Sequence, residues 1–305
     1  MVKMKVNYKY YEPNKGFEEL QAQIYNEDTK KYEIRVTATA ESIQQRYENE
    51  KPDSKGIRYA FKEDGSPLAY IQTRVTEANE NTKRRTWIGY PWAVEECPDV
   101  QEKLYNEVFE YVKQRDPENE IVMGYFSDNF TESVSFAKSK GFEIIDKGYQ
   151  YAIDVQEASK EEISGCTVRM ATMDDLKVLI ELCKSDSNLK NAFPNEEAWI
   201  SYFKDRVLPD KHTVMILKDN QLVCAGAPLE GITEDGLIVR FLATRPGYEN
   251  LRKALLIEIS KHNIETGWHD KPLLIYVGNQ EDLIATVKEI GGTIRDTQIL
   301  FGLKD

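Results

Sequence analysis

With 305 residues, 41% of them apolar, and with 17 Tyr and 11 Phe, the chain can bury real cores and suits two ordinary domains or one large one. Its 52 acidic against 40 basic side chains give a formal charge of −12, which argues against nucleic acid or an anionic membrane as partner and leans toward amine-bearing ligands. Four scattered cysteines (Cys97, Cys166, Cys183, Cys224) and three histidines (His212, His262, His269) show no metal-ligand spacing, Met1 to Lys15 is unlike a signal peptide, and no run of about 18 apolar residues spans a bilayer, so a cytoplasmic protein with reduced thiols and no metal is expected.

Residues 1 to 56 hold a short strand (Met4 to Tyr10) and two helices, near Gly16 to Tyr25 and near Ala40 to Glu48. From Gly56 the pattern turns to strands. Ile57 to Val75 reads as a hairpin turning at Glu63-Asp64-Gly65, and after the polar stretch Glu77 to Arg85 comes the strand Thr86 to Val94. A helix over Val100 to Arg115, apolar at Leu104, Val108, Tyr111 and Val112, is closed by Pro117. The strand Ile121 to Phe126, a helix Glu132 to Lys140 stopped by Gly141, and strand material from Phe142 to Val155 complete the first half. The charged, serine-bearing stretch Gln156 to Gly165 reads as a linker, dividing the chain into domains 1–156 and 157–305.

The second half repeats this order. A strand (Thr167 to Met170) precedes a helix opened by Thr172-Met173-Asp174-Asp175, and another helix runs near Asn195 to Arg206. A hairpin pairs Thr213 to Lys218 with Leu222 to Pro228, with His212 at its opening as a surface residue. The strand Leu237 to Thr244, a helix, the strand Leu273 to Val277, a helix Glu281 to Ile290 and a terminal strand follow. Laying Met123 to Val155 over Leu273 to Asp305, at a constant offset of 150, needs no gap, and Asn129, Lys138, Gly141, Ile144 and Asp146 meet Asn279, Lys288, Gly291, Ile294 and Asp296. Together with the matching succession of elements, this reads as a duplication.

The stretch Phe241 to Leu256, FLATRPGYENLRKALL, joins a buried strand to a helix whose apolar face runs Leu251, Leu255, Ile259. A helix start facing a strand end offers free N–H groups and a positive dipole end, a ready site for phosphate. Arg245, Arg252 and Lys253 surround the single Glu249 there, whereas the corresponding loop of the first half, VEECPDVQEKL (Val94 to Leu104), carries Glu95, Glu96 and Asp99. Like charges repel, so the second half is the better cofactor candidate and the first reads as degenerate.

Each half has the order β-α-α-β-β-β-α-β-α-β, with a hairpin before the strand-loop-helix unit. In this the chain resembles the GCN5-related N-acetyltransferase (GNAT) superfamily, and the whole resembles its tandem two-domain members. The resemblance implies a mixed α/β (α+β) fold of two tandem acyl-CoA N-acyltransferase domains, each a mostly antiparallel mixed sheet flanked by helices. It also implies acetyl-CoA, held in this family through Q/R-x-x-G-x-G/A after the fourth strand, where glycines let the backbone approach pyrophosphate. Neither half has that motif; both loops are about two residues shorter than the family pattern and lack its late glycines. Of the family's N-x-x-A-x-x-x-Y-x-K-x-G-F, Asn129 and Asn279 match the Asn approximately and Lys138 and Lys288 the Lys. Ala137 and Val287 stand where the Tyr acid would be.

The resemblance thus implies cofactor contacts at Leu242, Ala243, Thr244, Asn250, Leu251, Arg252, Lys253 and Asn279. Transfer to an amine needs a base, for which Glu230, Asp235 and Tyr276 are the candidates. Each residue also has a plain reading: the cations as a solvated helix start, Asn279 as a cap, the carboxylates as surface and Tyr276 as core. Cys224 reads as a small apolar packer, and Trp87, Tyr90 and Trp92 as core side chains or the walls of a ligand cleft. Two functions follow. One is a cytoplasmic N-acetyltransferase acting on a small amine or peptide as a monomer or homodimer; the other is a non-catalytic protein of the same fold that holds another ligand or partner.

Overall fold

The computed structural model describes residues 5–33, 37–78, 83–160, 165–193, 195–228, 236–278 and 280–303. They form two compact units, Met1–Lys147 with Asp296–Asp305, and Gly148–Arg295. This differs from the consecutive division at 156/157: the end of the first half lies in the second unit, and the end of the second half lies in the first.

The first unit runs β1 (Val6–Tyr10), α1 (Phe17–Thr29), α2 (Ala40–Glu50), β2 (Ile57–Lys62), β3 (Pro67–Thr76), β4 (Arg85–Ile88), β5 (Trp92–Ala93), α3 (Pro98–Arg115), β6 (Glu120–Ser127) and α4 (Thr131–Ser139). The strand β7 (Phe142–Ile153) starts here and continues into the second unit. There follow α5 (Val155–Ala158), β8 (Thr167–Met170), α6 (Leu176–Ser185), α7 (Glu196–Tyr202), β9 (Val214–Lys218), β10 (Gln221–Pro228), β11 (Leu237–Thr244), α8 (Arg252–Glu265), β12 (Leu273–Val277), α9 (Glu281–Glu289) and β13 (Thr293–Leu303). Apart from the short α5, both repeats keep the element order expected from the sequence. No helix among the described residues is long and apolar enough to cross a membrane.

Local chemistry explains the element ends. Thr39 and Ser42 cap α2 reciprocally, Ser42 N–H donating to Thr39 Oγ1 at 3.1 Å and Thr39 N–H to Ser42 Oγ at 3.3 Å. Pro98 opens α3, where a missing N–H costs nothing. The β2–β3 turn places Gly65 at φ 85°, a conformation that suits glycine.

In the first unit the order is β1-β2-β3-β4-β6-β13, antiparallel except for the parallel pair β4/β6. In the second it is β7-β12-β11-β10-β9-β8, antiparallel except for β11/β12. The last strand of each sheet therefore comes from the other repeat: residues 149–153 of β7 pair with β12, and residues 298–302 of β13 pair with β6. Tyr59, Ile71, Leu104 and Phe301 are fully buried in the first unit, and Ile153, Cys224, Leu255 and Ile259 in the second.

The fourth strand of the first repeat corrects the expected continuous run Thr86 to Val94. It breaks after Ile88 and resumes at Trp92. Pro91 has no N–H to offer a neighbour, so the ladder is interrupted there.

Candidate functional site

In the second unit β11 and β12 pair only at Leu237–Leu273 and Ile238–Leu274. Beyond these, β11 stays with β10 and β12 with β7, and the two parallel strands part. A cavity of about 340 Å³ opens between them, lined by Val239 to Leu242 from β11, Ile275 and Tyr276 from β12, and Asp186, Asn188 and Leu189 after α6. Tyr276 is thus brought to the gap, 44% exposed. Leu242 also lines it, whereas Ala243 is buried in the core. Glu230, Asp235 and Asn279 lie outside the described residues.

The loop after β11 binds an anion already, and that anion is part of the protein. Residues 249–251 form one tight turn ahead of α8, with Leu251 N–H donating to Tyr248 O at 2.9 Å and Arg252 N–H to Glu249 O. The carboxylate of exposed Glu249 folds back to accept from Gly247 N–H at 3.1 Å. Backbone N–H groups of Glu249 and Gly247 hold its pKa below the usual glutamate value. Asn250 is exposed at the tip of the turn.

The three cations are also engaged. Arg252 is buried at the helix start, donates from Nε to Thr244 Oγ1 at 3.3 Å, and pairs through Nη1 with exposed Asp282 of α9. Lys253 Nζ lies 2.7 Å from Glu289, and Arg245 Nε donates to Leu222 O at 3.2 Å. Of these, Arg252 alone lines the gap. The two carboxylates that engage Gly247 N–H and Arg252, Glu249 and Asp282, are both on the surface. A phosphate can replace them without disturbing the core, so Gly247 N–H, Glu249 N–H and Arg252 form a set that fits a phosphate-bearing cofactor.

Asp186, at the end of α6, is a site residue that the sequence reading missed. Only 2% exposed, its carboxylate accepts from Thr244 N–H and from Asn188 N–H, both at 2.8 Å. The first unit has the same device: Asp28, near the end of α1, accepts from Ala93 N–H at 2.9 Å at the end of β5. There the charge is met by Lys31, three residues on, at 2.7 Å. Three residues after Asp186 comes Leu189, and among the described residues no cation pairs with Asp186. A buried carboxylate thus lines the second gap without an ion-pair partner among the described residues, although Arg240, paired with Asp210, and Arg252 line the same gap. The signal in the sequence was faint, an Asp followed two residues later by Asn past a helix end, which reads equally well as a turn.

Nothing similar supports cofactor binding in the first unit. Glu95 is taken by Lys62 at 2.7 Å, and Glu96 and Asp99 are exposed beside the start of α3. The Cys97 thiol at that helix start is pushed up to about 11, by burial first and then by Glu95 and Asp28. An anion cradle would lower it. Ala137 and Val287, at the position where the family's acid would stand, are fully buried. Cys224 packs in the core, its thiol pushed up to about 12 chiefly by burial.

No protein-family model matches the chain, and no curated protein matches it. Solved structures do. A GCN5-related N-acetyltransferase from Sphaerobacter thermophilus is 14% identical with a TM-score of 0.71, over 97% of this chain and 95% of that one. A tandem GNAT protein from the clavulanic acid biosynthesis pathway is 10% identical with a TM-score of 0.68, over 98% of both chains. A GNAT-family acetyltransferase from Colwellia psychrerythraea is 11% identical with a TM-score of 0.64, over 98% of this chain and all of that one. At such identities the likeness establishes the fold: the chain has the tandem fold of GCN5-related N-acetyltransferases.

Proposed function

We propose that the chain is an N-acetyltransferase that moves an acetyl group from acetyl-CoA to an amine of a small molecule or peptide, in the cytoplasm, as a monomer or homodimer. The carrying observation is the loop 247–249 beside an open strand gap, a cradle whose anions are the protein's own exposed carboxylates. Gly247 N–H, Glu249 N–H and Arg252 would hold the cofactor's phosphates once Glu249 and Asp282 turn away. Acetyl-CoA supplies the activated thioester. Asp186 would receive the acceptor's ammonium in the gap, since its charge is buried and paired with no described cation. Tyr276, which lines the gap, would move a proton there through its hydroxyl. The first unit, with acidic residues at its loop, would take no cofactor.

Calorimetry of the full chain with CoA tests this. Glu249→Ala removes the internal competitor, and CoA should bind about three- to tenfold more tightly, roughly 0.7–1.4 kcal/mol. Arg252→Gln should weaken CoA by about tenfold or more, as for a lost charge-assisted hydrogen bond. Release of free thiol from acetyl-CoA, driven by a panel of amines, then reports transfer.

The second reading is a binding protein without transfer. It is favoured by the Thr244 amide, which donates to the buried Asp186 and is not offered to a ligand, and by the closed turn at Leu251 and Arg252. Absence of heat with CoA in both the wild type and Glu249→Ala would select it.

A further inference from the structure

The strand gap of the first unit has different chemistry. About 250 Å³ opens where β4 and β6 part after the Ile88–Met123 pair. Trp87, Tyr90, Trp92 and Tyr125 are among its walls, and two guanidinium groups, Arg46 and Arg74, line it against one carboxylate, Glu50.

Neither arginine is well served by the protein. Arg74 stacks on Trp87, its guanidinium 4.5 Å from the ring centre, and Glu50 is 3.8 Å away, beyond hydrogen-bonding distance. Burial holds the Arg74 pKa below the ordinary arginine value; Glu50 opposes this and the charge of Arg46 adds to it. Arg46 stacks on Tyr47 at 5.2 Å and donates to Gln72 Oε1 at 3.1 Å. Gln21 Nε2 and Tyr47 Oη lie 2.8 Å from that same oxygen. Tyr47 has one hydrogen and also lies 2.6 Å from Gln21 Oε1, so Arg46 shares Gln72 Oε1 with the Gln21 amide and meets no carboxylate among the described residues.

We infer that this gap is a binding site for a small aromatic carboxylate. A guanidinium stacked on a ring keeps its N–H edges free in the plane, where they match the two oxygens of a carboxylate. The aromatic walls suit a flat apolar body. The volume falls just below the range of about 300–1,000 Å³ typical of drug-sized sites, so it fits a single ring with a short acid arm and excludes a nucleotide. The assignment does not rest on acetyl transfer in the second unit, and either can fail alone.

The test is NMR of the full chain carrying ¹⁵N-tryptophan, with the Trp87 indole signal identified by Trp87→Phe. Phenylacetate should shift that signal saturably, phenylacetamide about tenfold more weakly or worse, and phenethylamine not at all. Arg46→Gln and Arg74→Gln should each weaken phenylacetate by about tenfold. Glu50→Gln should strengthen it, because it removes the one carboxylate near Arg74 among the described residues; a merely structural cluster would not gain affinity. If an arginine variant loses its fold, seen as collapsed indole dispersion, Glu50→Gln and the acid-against-amide comparison decide. Equal binding of acid and amide, preference for the amine, or no saturable shift with phenylacetate would overturn the assignment.

Discussion

His212 Nδ1 and His262 Nε2 lie 2.9 Å apart, so one ring donates and the other accepts, and at least one imidazole must be neutral. Both are half-buried, and the Trp268 ring centre is 4.7 Å from that of His212. Burial first, and then the charge of His212, holds the His262 pKa below the ordinary histidine value, while Glu265 opposes them. The sign follows from linkage. As pH falls below about 6.5 the unfolded chain takes up its proton first, so stability is fully present above that pH and is lost as pH falls toward the lowered folded value. The Tm should therefore drop as pH falls from about 7.5 to 5.5, and His262→Gln should flatten that part of the profile. Identical slopes in the two proteins would refute the coupling. His212 read alone suggested a surface position; its partner is fifty residues away, and pairwise chemistry at that separation leaves no local pattern. Asp186 was hidden for the same reason, and so was the pairing of Arg252, since their partners Thr244 and Asp282 belong to other elements.

Elements were more legible, because periodicity and Gly or Pro punctuation are local. The α3 helix, the two hairpins, and the strands β11 and β12 fall where the sequence placed them. What periodicity does not reveal is how closely elements approach. Gly226 of β10 marks such a place: a Cβ there would lie 2.9 Å from Leu242 Cδ2, 3.0 Å from Ile259 Cδ1 and 3.0 Å from Phe241 O. The strand β10, its neighbour β11 and the helix α8 converge on that point, and Leu242 also lines the gap. Gly226→Ala should push these apart and cost about 1–3 kcal/mol, as overpacking of a tight core does. Chemical denaturation reads this directly, and an unmoved midpoint would mean that the neighbours yield freely.

At the scale of the whole molecule, the duplication was legible and the exchange of strands was not. β7 and β13 occupy the same place in their repeats, so each pattern suits either sheet, and nothing local says which one it joins. The consequence is specific. Residues 298–302 pair with β6, Ser127 Oγ donates to Asp296 at 2.5 Å, and Phe301 is fully buried in the first unit. Phe301→Ala should therefore destabilise by about 3–5 kcal/mol, and the damage should appear in the first unit although the residue follows the second in sequence. Hydrogen exchange is the measurement: amides of Glu120–Ser127 should lose protection while those of β11 and α8 keep theirs. Loss confined to β11 and α8, with β6 still protected, would mean that the terminal strand belongs to the second unit's sheet and that the consecutive division at 156/157 is right. A cleavage at that point would then free two folded halves; with the strands exchanged, each fragment lacks the closing strand of its own sheet, which exposes a β edge and favours aggregation.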